Sequence, residues 1–81
     1  MIHLEVMAFG ITRDIVGQTL FQVDLPTGSS VGDLRTHLLA TYPDLAKLTS
    51  LLIAVEQEYG DAERILTGGE EIALIPPVSG G

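Results

Sequence analysis

Thr19-Leu20-Phe21-Gln22-Val23-Asp24-Leu25-Pro26-Thr27-Gly28-Ser29-Ser30-Val31-Gly32-Asp33-Leu34 changes its hydrophobic period part-way along. Phe21, Val23 and Leu25 alternate with Gln22 and Asp24, the period-2 pattern of a strand with one buried face. Pro26-Thr27-Gly28 stops it. Ser30-Val31-Gly32-Asp33 then fits a capping box, in which the Ser30 hydroxyl and the Asp33 carboxylate satisfy orphan amides at a helix start. Val31, Leu34 and Leu38 recur at helical spacing with Leu39 widening the stripe, so one face of this helix packs on a sheet. Pro43 marks its end, because proline disfavours helical conformation in the residue before it.

Upstream, Ile2, Leu4, Val6 and Ala8 alternate with His3 and Glu5 in a first strand that runs to Phe9. Gly10 to Gly17 is bracketed by glycines and contains Ile11, Ile15 and Val16, which reads as a loop or one short helical turn. The two strands form a hairpin with a long connection. Downstream, Asp44 to Ser50 is irregular or a short turn of helix. Leu51 to Val55 is a continuous apolar run suited to an interior strand. The polar stretch Glu56 to Arg64, then Ile65-Leu66 and a Thr67-Gly68-Gly69 turn, lead to a last strand from Ile72 to Ile75.

The order is strand, strand, helix, strand, strand, without repeats or a linker. One helix across a mixed sheet of four to five strands is the α+β layer solution for a chain this short. The order suits a β-grasp arrangement, with the first and last strands side by side in the middle.

Composition removes several function classes. Eighty-one residues make one domain at most. No cysteine is present, so there is no thiol nucleophile, disulfide or thiolate metal site. His3 and His37 have no metal-ligand spacing around them, and no metal is expected. No apolar run approaches the roughly 20 residues that span a bilayer, and no signal peptide opens the chain, so the expected compartment is cytoplasmic with no membrane contact. Eleven acidic against four basic residues give a charge of −7, which argues against nucleic acid. The acidity serves either solubility or steering toward a basic docking face, and charge alone does not separate the two.

The end of the chain carries the chemistry. Pro76-Pro77 ends the last strand, since proline offers no ladder donor, and two prolines in series favour a stiff, extended exit. The expected division is a β-grasp body over 1–75 and a flexible carrier tail over 76–81. Pro76, Pro77, Val78, Ser79, Gly80 and Gly81 reach about 20 Å when extended, enough to enter an active site on another protein. Gly80-Gly81 has no Cβ atoms and can thread a narrow channel. The alternative is an ordinary frayed end, but at an average glycine frequency two terminal glycines arise by chance in roughly 0.5% of chains. A free carboxylate is a poor electrophile, so its use requires activation, typically by ATP to an acyl-adenylate. A sulfur nucleophile then leaves a thiocarboxylate, and an amine leaves an amide. With no cysteine in the chain, any carried sulfur sits on the Gly81 carboxyl group, and catalytic residues belong to partners.

Glu71-Ile72-Ala73-Leu74-Ile75-Pro76-Pro77-Val78-Ser79-Gly80-Gly81 resembles the C-terminus of the molybdopterin synthase small subunit family. Phe9-Gly10, Arg13 and Gly17 look like that family's first loop, and Ala54-Val55-Glu56-Gln57-Glu58-Tyr59 like its third strand and following turn. The Pro-Pro-Val-Ser-Gly-Gly ending is the specific part. The resemblance implies a ubiquitin-like β-grasp fold and a sulfur carrier in molybdenum cofactor biosynthesis. It further implies adenylation of Gly81 by an ATP-dependent, ubiquitin-activator-like enzyme and conversion to a thiocarboxylate. The tail then donates sulfur to a pterin precursor in the large catalytic subunit, forming the molybdopterin dithiolene. Two carriers per product match a heterotetramer of two small and two large subunits. The chain itself is then a non-catalytic subunit, with no permanently bound cofactor. Relatives often carry Asn where this chain has Glu56, a departure that bears on partner detail if that position contacts a partner.

Met7, beside the last strand if the first and last strands pair, and Ile75, as its neighbour, are either a docking patch next to the tail or core residues. Arg13 either pairs with an acidic group on a partner or is an ordinary surface arginine. Glu56/Glu58 and Glu70/Glu71 read as a solvated surface rather than as acid–base pairs. The rival readings are a thiamine-synthesis sulfur carrier, a ubiquitin-like modifier of lysines and an acyl carrier protein modified at Ser30.

Overall fold

Ile2–Ala8 forms β1, with Ile2, Leu4, Val6 and Ala8 buried and the residues between them exposed. In the computed structural model, which describes residues 1–48 and 51–76, β1 is followed by α1 (Ile11–Val16), β2 (Leu20–Leu25), α2 (Val31–Thr41) and a 3₁₀ turn over Pro43–Lys47. The remaining strands are β3 (Leu52–Val55), β4 (Glu58–Tyr59) and β5 (Glu71–Ile75). The glycine-bracketed segment is therefore a short helix, closed by Gly17 donating its amide to the Arg13 carbonyl at 2.7 Å.

The five strands stand in the order β2-β1-β5-β3-β4. β1 and β5 are parallel neighbours in the middle, and the other contacts are antiparallel. This is the ubiquitin-like β-grasp with one main helix. β5 is paired on both sides from Ile72 to Leu74 and on the β3 side at Ile75, so the strand is held in the centre of the sheet close to its end.

The main helix starts as its sequence dictates. The Asp33 amide donates to Ser30 Oγ at 3.2 Å and the Ser30 amide donates to Asp33 Oδ2 at 2.9 Å, completing the capping box. The Val31 and Gly32 amides donate to the carbonyls of Arg64 and Ala62, both at 2.9 Å. The orphan donors of this helix start are therefore satisfied within the chain. Leu34 and Leu38 are fully buried against the core faces of the strands, each contributing roughly 1.5–3 kcal/mol of transfer free energy. At the other end Tyr42 stacks edge-on against Phe21, with ring centroids 5.9 Å apart. Arg35 donates from Nη2 to the Leu51 carbonyl at 2.7 Å and fixes the chain where it enters β3.

The sheet excludes the helical bundle of an acyl carrier protein, and Ser30 is engaged in the capping box rather than presented at a modification site. The polar stretch after β3 holds an element absent from the sequence reading. Val55 and Glu58 pair across a two-residue turn in which Glu56 and Gln57 have φ of 52° and 69°, the positive-φ pair of a type I′ hairpin. No described helix is long and apolar enough to cross a membrane.

Candidate functional site

The alternation that buries Val6, Ala8, Ile72 and Leu74 turns Met7, Ala73 and Ile75 to the opposite, outer face of the sheet. Cross-strand register then builds a row across all five strands. Tyr59 is opposite Ala54, Ala54 opposite Ala73, Ala73 opposite Met7, and Met7 opposite Leu20. In the next row toward the chain end, Leu52 faces Ile75. Met7 is 40% exposed, Leu52 42% and Leu20 48%, so the tail-side half of this face is an apolar surface open to solvent. Such contiguous patches mark interaction sites.

The other half is acidic. Glu5 stands beside both Glu71 and Gln22, and His3 is opposite Asp24, with Glu56 bonded to the Glu71 amide. One face thus changes from carboxylates to apolar side chains along the direction in which β5 runs, and the chain leaves β5 at the apolar end.

These positions remove the core alternative for Met7 and Ile75 and correct their expected adjacency. Met7 and Ile75 are not core residues: Met7 is exposed and Ile75 half-buried on the outer face. They are not direct neighbours either, because the parallel register sets Met7 against Ala73 and Ile75 against Leu52. Arg13 is exposed on α1 and makes no ion pair among the described residues. Pro76 is half-buried directly after β5. Pro77, Val78, Ser79, Gly80 and Gly81 lie outside the described residues.

Two residues around this site have roles that the sequence reading missed. Thr12 is completely buried beneath the end of β5. The Phe9 amide donates to its hydroxyl at 2.9 Å, and the hydroxyl lies 3.4 Å from the Leu74 carbonyl. The only signal was a hydroxyl three residues after Phe9, a spacing that suits local side-chain-to-backbone bonding. Glu70, read as a solvated acid, is buried. Its carboxylate accepts from the Thr67 amide at 2.8 Å, the Gly68 amide at 2.7 Å and the Thr67 hydroxyl at 3.2 Å. Burial pushes its pKa up, but the hydrogen bonds from Thr67, from its own amide and from Gly68 together outweigh that and hold it below the ordinary carboxylate value. Glu70 therefore locks the turn that feeds β5.

The sequence profile of the ThiS family matches residues 6–81. The chain belongs to the ThiS family. This ThiS-family chain is 37% identical over 84 residues to the molybdopterin synthase sulfur carrier subunit of Caenorhabditis elegans, with all of both chains covered. It is similar to a small archaeal modifier protein, SAMP1 from Haloferax volcanii, at 25% identity and a TM-score of 0.83, covering 98% of this chain and 99% of that one. It also matches a chain in the complex of subunits 1 and 2 of the molybdopterin-converting factor from Helicobacter pylori, at 26% identity and a TM-score of 0.69, with 99% of this chain and 100% of that one covered. The family resemblance read from the Pro-Pro-Val-Ser-Gly-Gly ending is borne out along the whole ThiS-family chain, not only at its end.

Proposed function

We propose that this protein is the sulfur carrier subunit of a molybdopterin synthase, acting in the cytoplasm and using the Gly81 carboxylate as its working group. The observation that carries the reading is the exit of the chain from the central strand at the border of an exposed apolar face, with Gly80-Gly81 six residues or fewer beyond it. A partner that covers Leu20, Met7, Ala73, Ile75 and Leu52 holds the root of the tail while the terminal carboxylate enters its active site. The full-length match to sulfur carrier subunits supports the same reading.

The chemistry divides into two stages. An ATP-dependent activating enzyme joins the Gly81 carboxylate to AMP and releases pyrophosphate; a sulfide equivalent then displaces AMP and leaves the thiocarboxylate. In the large catalytic subunit the thiocarboxylate sulfur forms a carbon–sulfur bond at a carbon of the pterin precursor, and the carbon–oxygen bond at that carbon breaks with its oxygen substituent leaving. Water then hydrolyses the acyl link, returning Gly81 as a carboxylate. Two such transfers complete a dithiolene, which supports a heterotetramer of two carriers and two large subunits. The chain contributes the carried group and the docking face, and catalytic side chains belong to its partners. ATP is bound by the activating enzyme, not by this chain.

Transfer is tested by preparing the thiocarboxylate chemically, through thiolysis of an intein fusion, and mixing it with a large subunit and pterin precursor. One sulfur lost from the chain per carbon–sulfur bond formed is the expected result. A stable thiocarboxylate in the presence of an active large subunit would sink this assignment.

The likeness to SAMP1 favours a second reading, a modifier joined to target lysines through an amide at Gly81. Both readings share the adenylate. They part at the acceptor, and branched peptides ending in Gly80-Gly81 on lysine would distinguish the modifier; without such conjugates, the match offers no reason to prefer this second reading over a thiamine-synthesis carrier.

A further inference from the structure

The turn between β1 and α1 meets the chain again at its far end. An ideal Cβ on Gly10 would lie 3.1 Å from Cγ of Pro76, closer than the roughly 3.5–4.0 Å of good carbon–carbon contact. Gly10 also holds φ at +56°, a region that side chains other than glycine enter at a cost. Two residues on, buried Thr12 touches the Leu74 carbonyl. The same turn therefore bears on the last strand at Leu74 and on the residue that follows it at Pro76. Gly17, at the other end of α1, has φ of +85° and nothing within 4 Å of an added Cβ. Both glycines have positive φ, but Gly17 at ψ 6° is left-handed helical whereas Gly10 at ψ −132° lies outside that region, a stricter demand, and only Gly10 borders the root of the tail.

We propose that Gly10 is a positioning residue for the C-terminal tail: its missing side chain seats the Pro76 ring against the β1–α1 turn and sets the direction from which residues 77–81 continue. This rests on the carrier reading, because direction matters only when the Gly81 carboxylate is presented to an enzyme. Proline fixes its own φ, so an orientation set at Pro76 is passed on along Pro76-Pro77 rather than lost at the first bond. Five further residues reach about 17 Å, and a tilt of about 20° at the root moves their end by about 6 Å. A misplacement of 1 Å at a reacting group is enough to cost about 100-fold in rate.

A double-mutant cycle on the full chain tests this, with ATP-dependent adenylation by the activating enzyme as the activity. The variants are Gly10→Ala, Pro76→Ala and their combination, with Gly17→Ala as the control for loss of a positive-φ glycine away from the tail; the Pro76→Ala background separates the seat from the strain that Gly10→Ala adds. Gly10→Ala and Gly17→Ala both lower Tm. Gly10→Ala lowers kcat about 100-fold, whereas Gly17→Ala leaves kcat and KM unchanged. Pro76→Ala loses the seat without strain and lowers kcat by a smaller factor, about threefold, at unchanged Tm. In the Pro76→Ala background Gly10→Ala costs no further activity, although Tm stays low, which is the coupling expected of residues in contact.

Equal adenylation of Gly10→Ala and Gly17→Ala, or full activity of Pro76→Ala, overturns the proposal. Should the wild-type chain itself not be adenylated, the carrier reading fails, and amide chemical shifts of Val78 to Gly81 decide the positioning claim. These shifts move in Gly10→Ala but not in Gly17→Ala if the claim holds, and are identical in both if it does not.

Discussion

The Glu71 amide donates to the Glu56 carboxylate at 3.0 Å, while the Glu56 amide donates to the Glu71 carbonyl at 2.9 Å. This reciprocal pair ties the β3–β4 turn to the first residue of β5. It gives Glu56 a role inside the chain. Asn suits the left-handed conformation that Glu56 adopts at φ 52°, whereas Glu reaches across to the neighbouring strand. Glu56→Ala is expected to destabilise the fold by about 1 kcal/mol, at the low end for a charged hydrogen bond because the group is exposed. Urea denaturation checks this, and an unchanged midpoint would show that the bond contributes nothing.

Gln57 holds φ of 69° with no compensating side-chain bond among the described residues. Replacing it with glycine removes a left-handed penalty of about 1 kcal/mol, partly offset by the greater chain entropy of glycine. Gln57→Gly should therefore raise the thermal midpoint slightly, and a lowered midpoint would contradict the turn assignment.

Glu70 links stability to acid. Its folded-state pKa lies below the ordinary carboxylate value, so as pH falls the unfolded chain takes up this proton first. The contribution is fully present above the unfolded pKa and disappears as pH falls through the folded one. Glu70→Gln should therefore be less stable than wild type at neutral pH, with the gap closing in acid. A gap independent of pH would assign the loss to packing instead of charge.

The apolar row makes a separable prediction. Met7 faces solvent, so Met7→Glu should change stability by less than about 0.5 kcal/mol. Set in the middle of a docking face, the same charge should weaken binding to the large subunit by roughly 10- to 100-fold. Calorimetry with the unmodified carrier measures the second effect and thermal denaturation the first. Undiminished binding would move the interface off this face.

Much of the architecture was legible because it rests on local rules. The alternation of Ile2, Leu4, Val6 and Ala8, the Ser30/Asp33 capping box and the proline after the last strand each act within a few residues, and each is realised where the sequence sets it. The misses depend on geometry that sequence does not display. Glu58–Tyr59 carries no alternation and becomes β4 only because the turn before it returns the chain alongside β3. Glu70 reads as one more acid until the amides of Thr67 and Gly68 close around it. The partner of Met7 followed from parallel register, which a list of strands leaves open.

The central claim concerns the Gly81 carboxyl group, and intact mass tests it most directly. The wild-type chain and a variant lacking Gly81 are incubated with an activating enzyme, ATP and a sulfur donor. The wild type should gain the mass of one oxygen-for-sulfur exchange and the variant nothing. No gain in the wild type, from an enzyme shown to be active on another carrier, would contradict the assignment of this protein as a sulfur carrier.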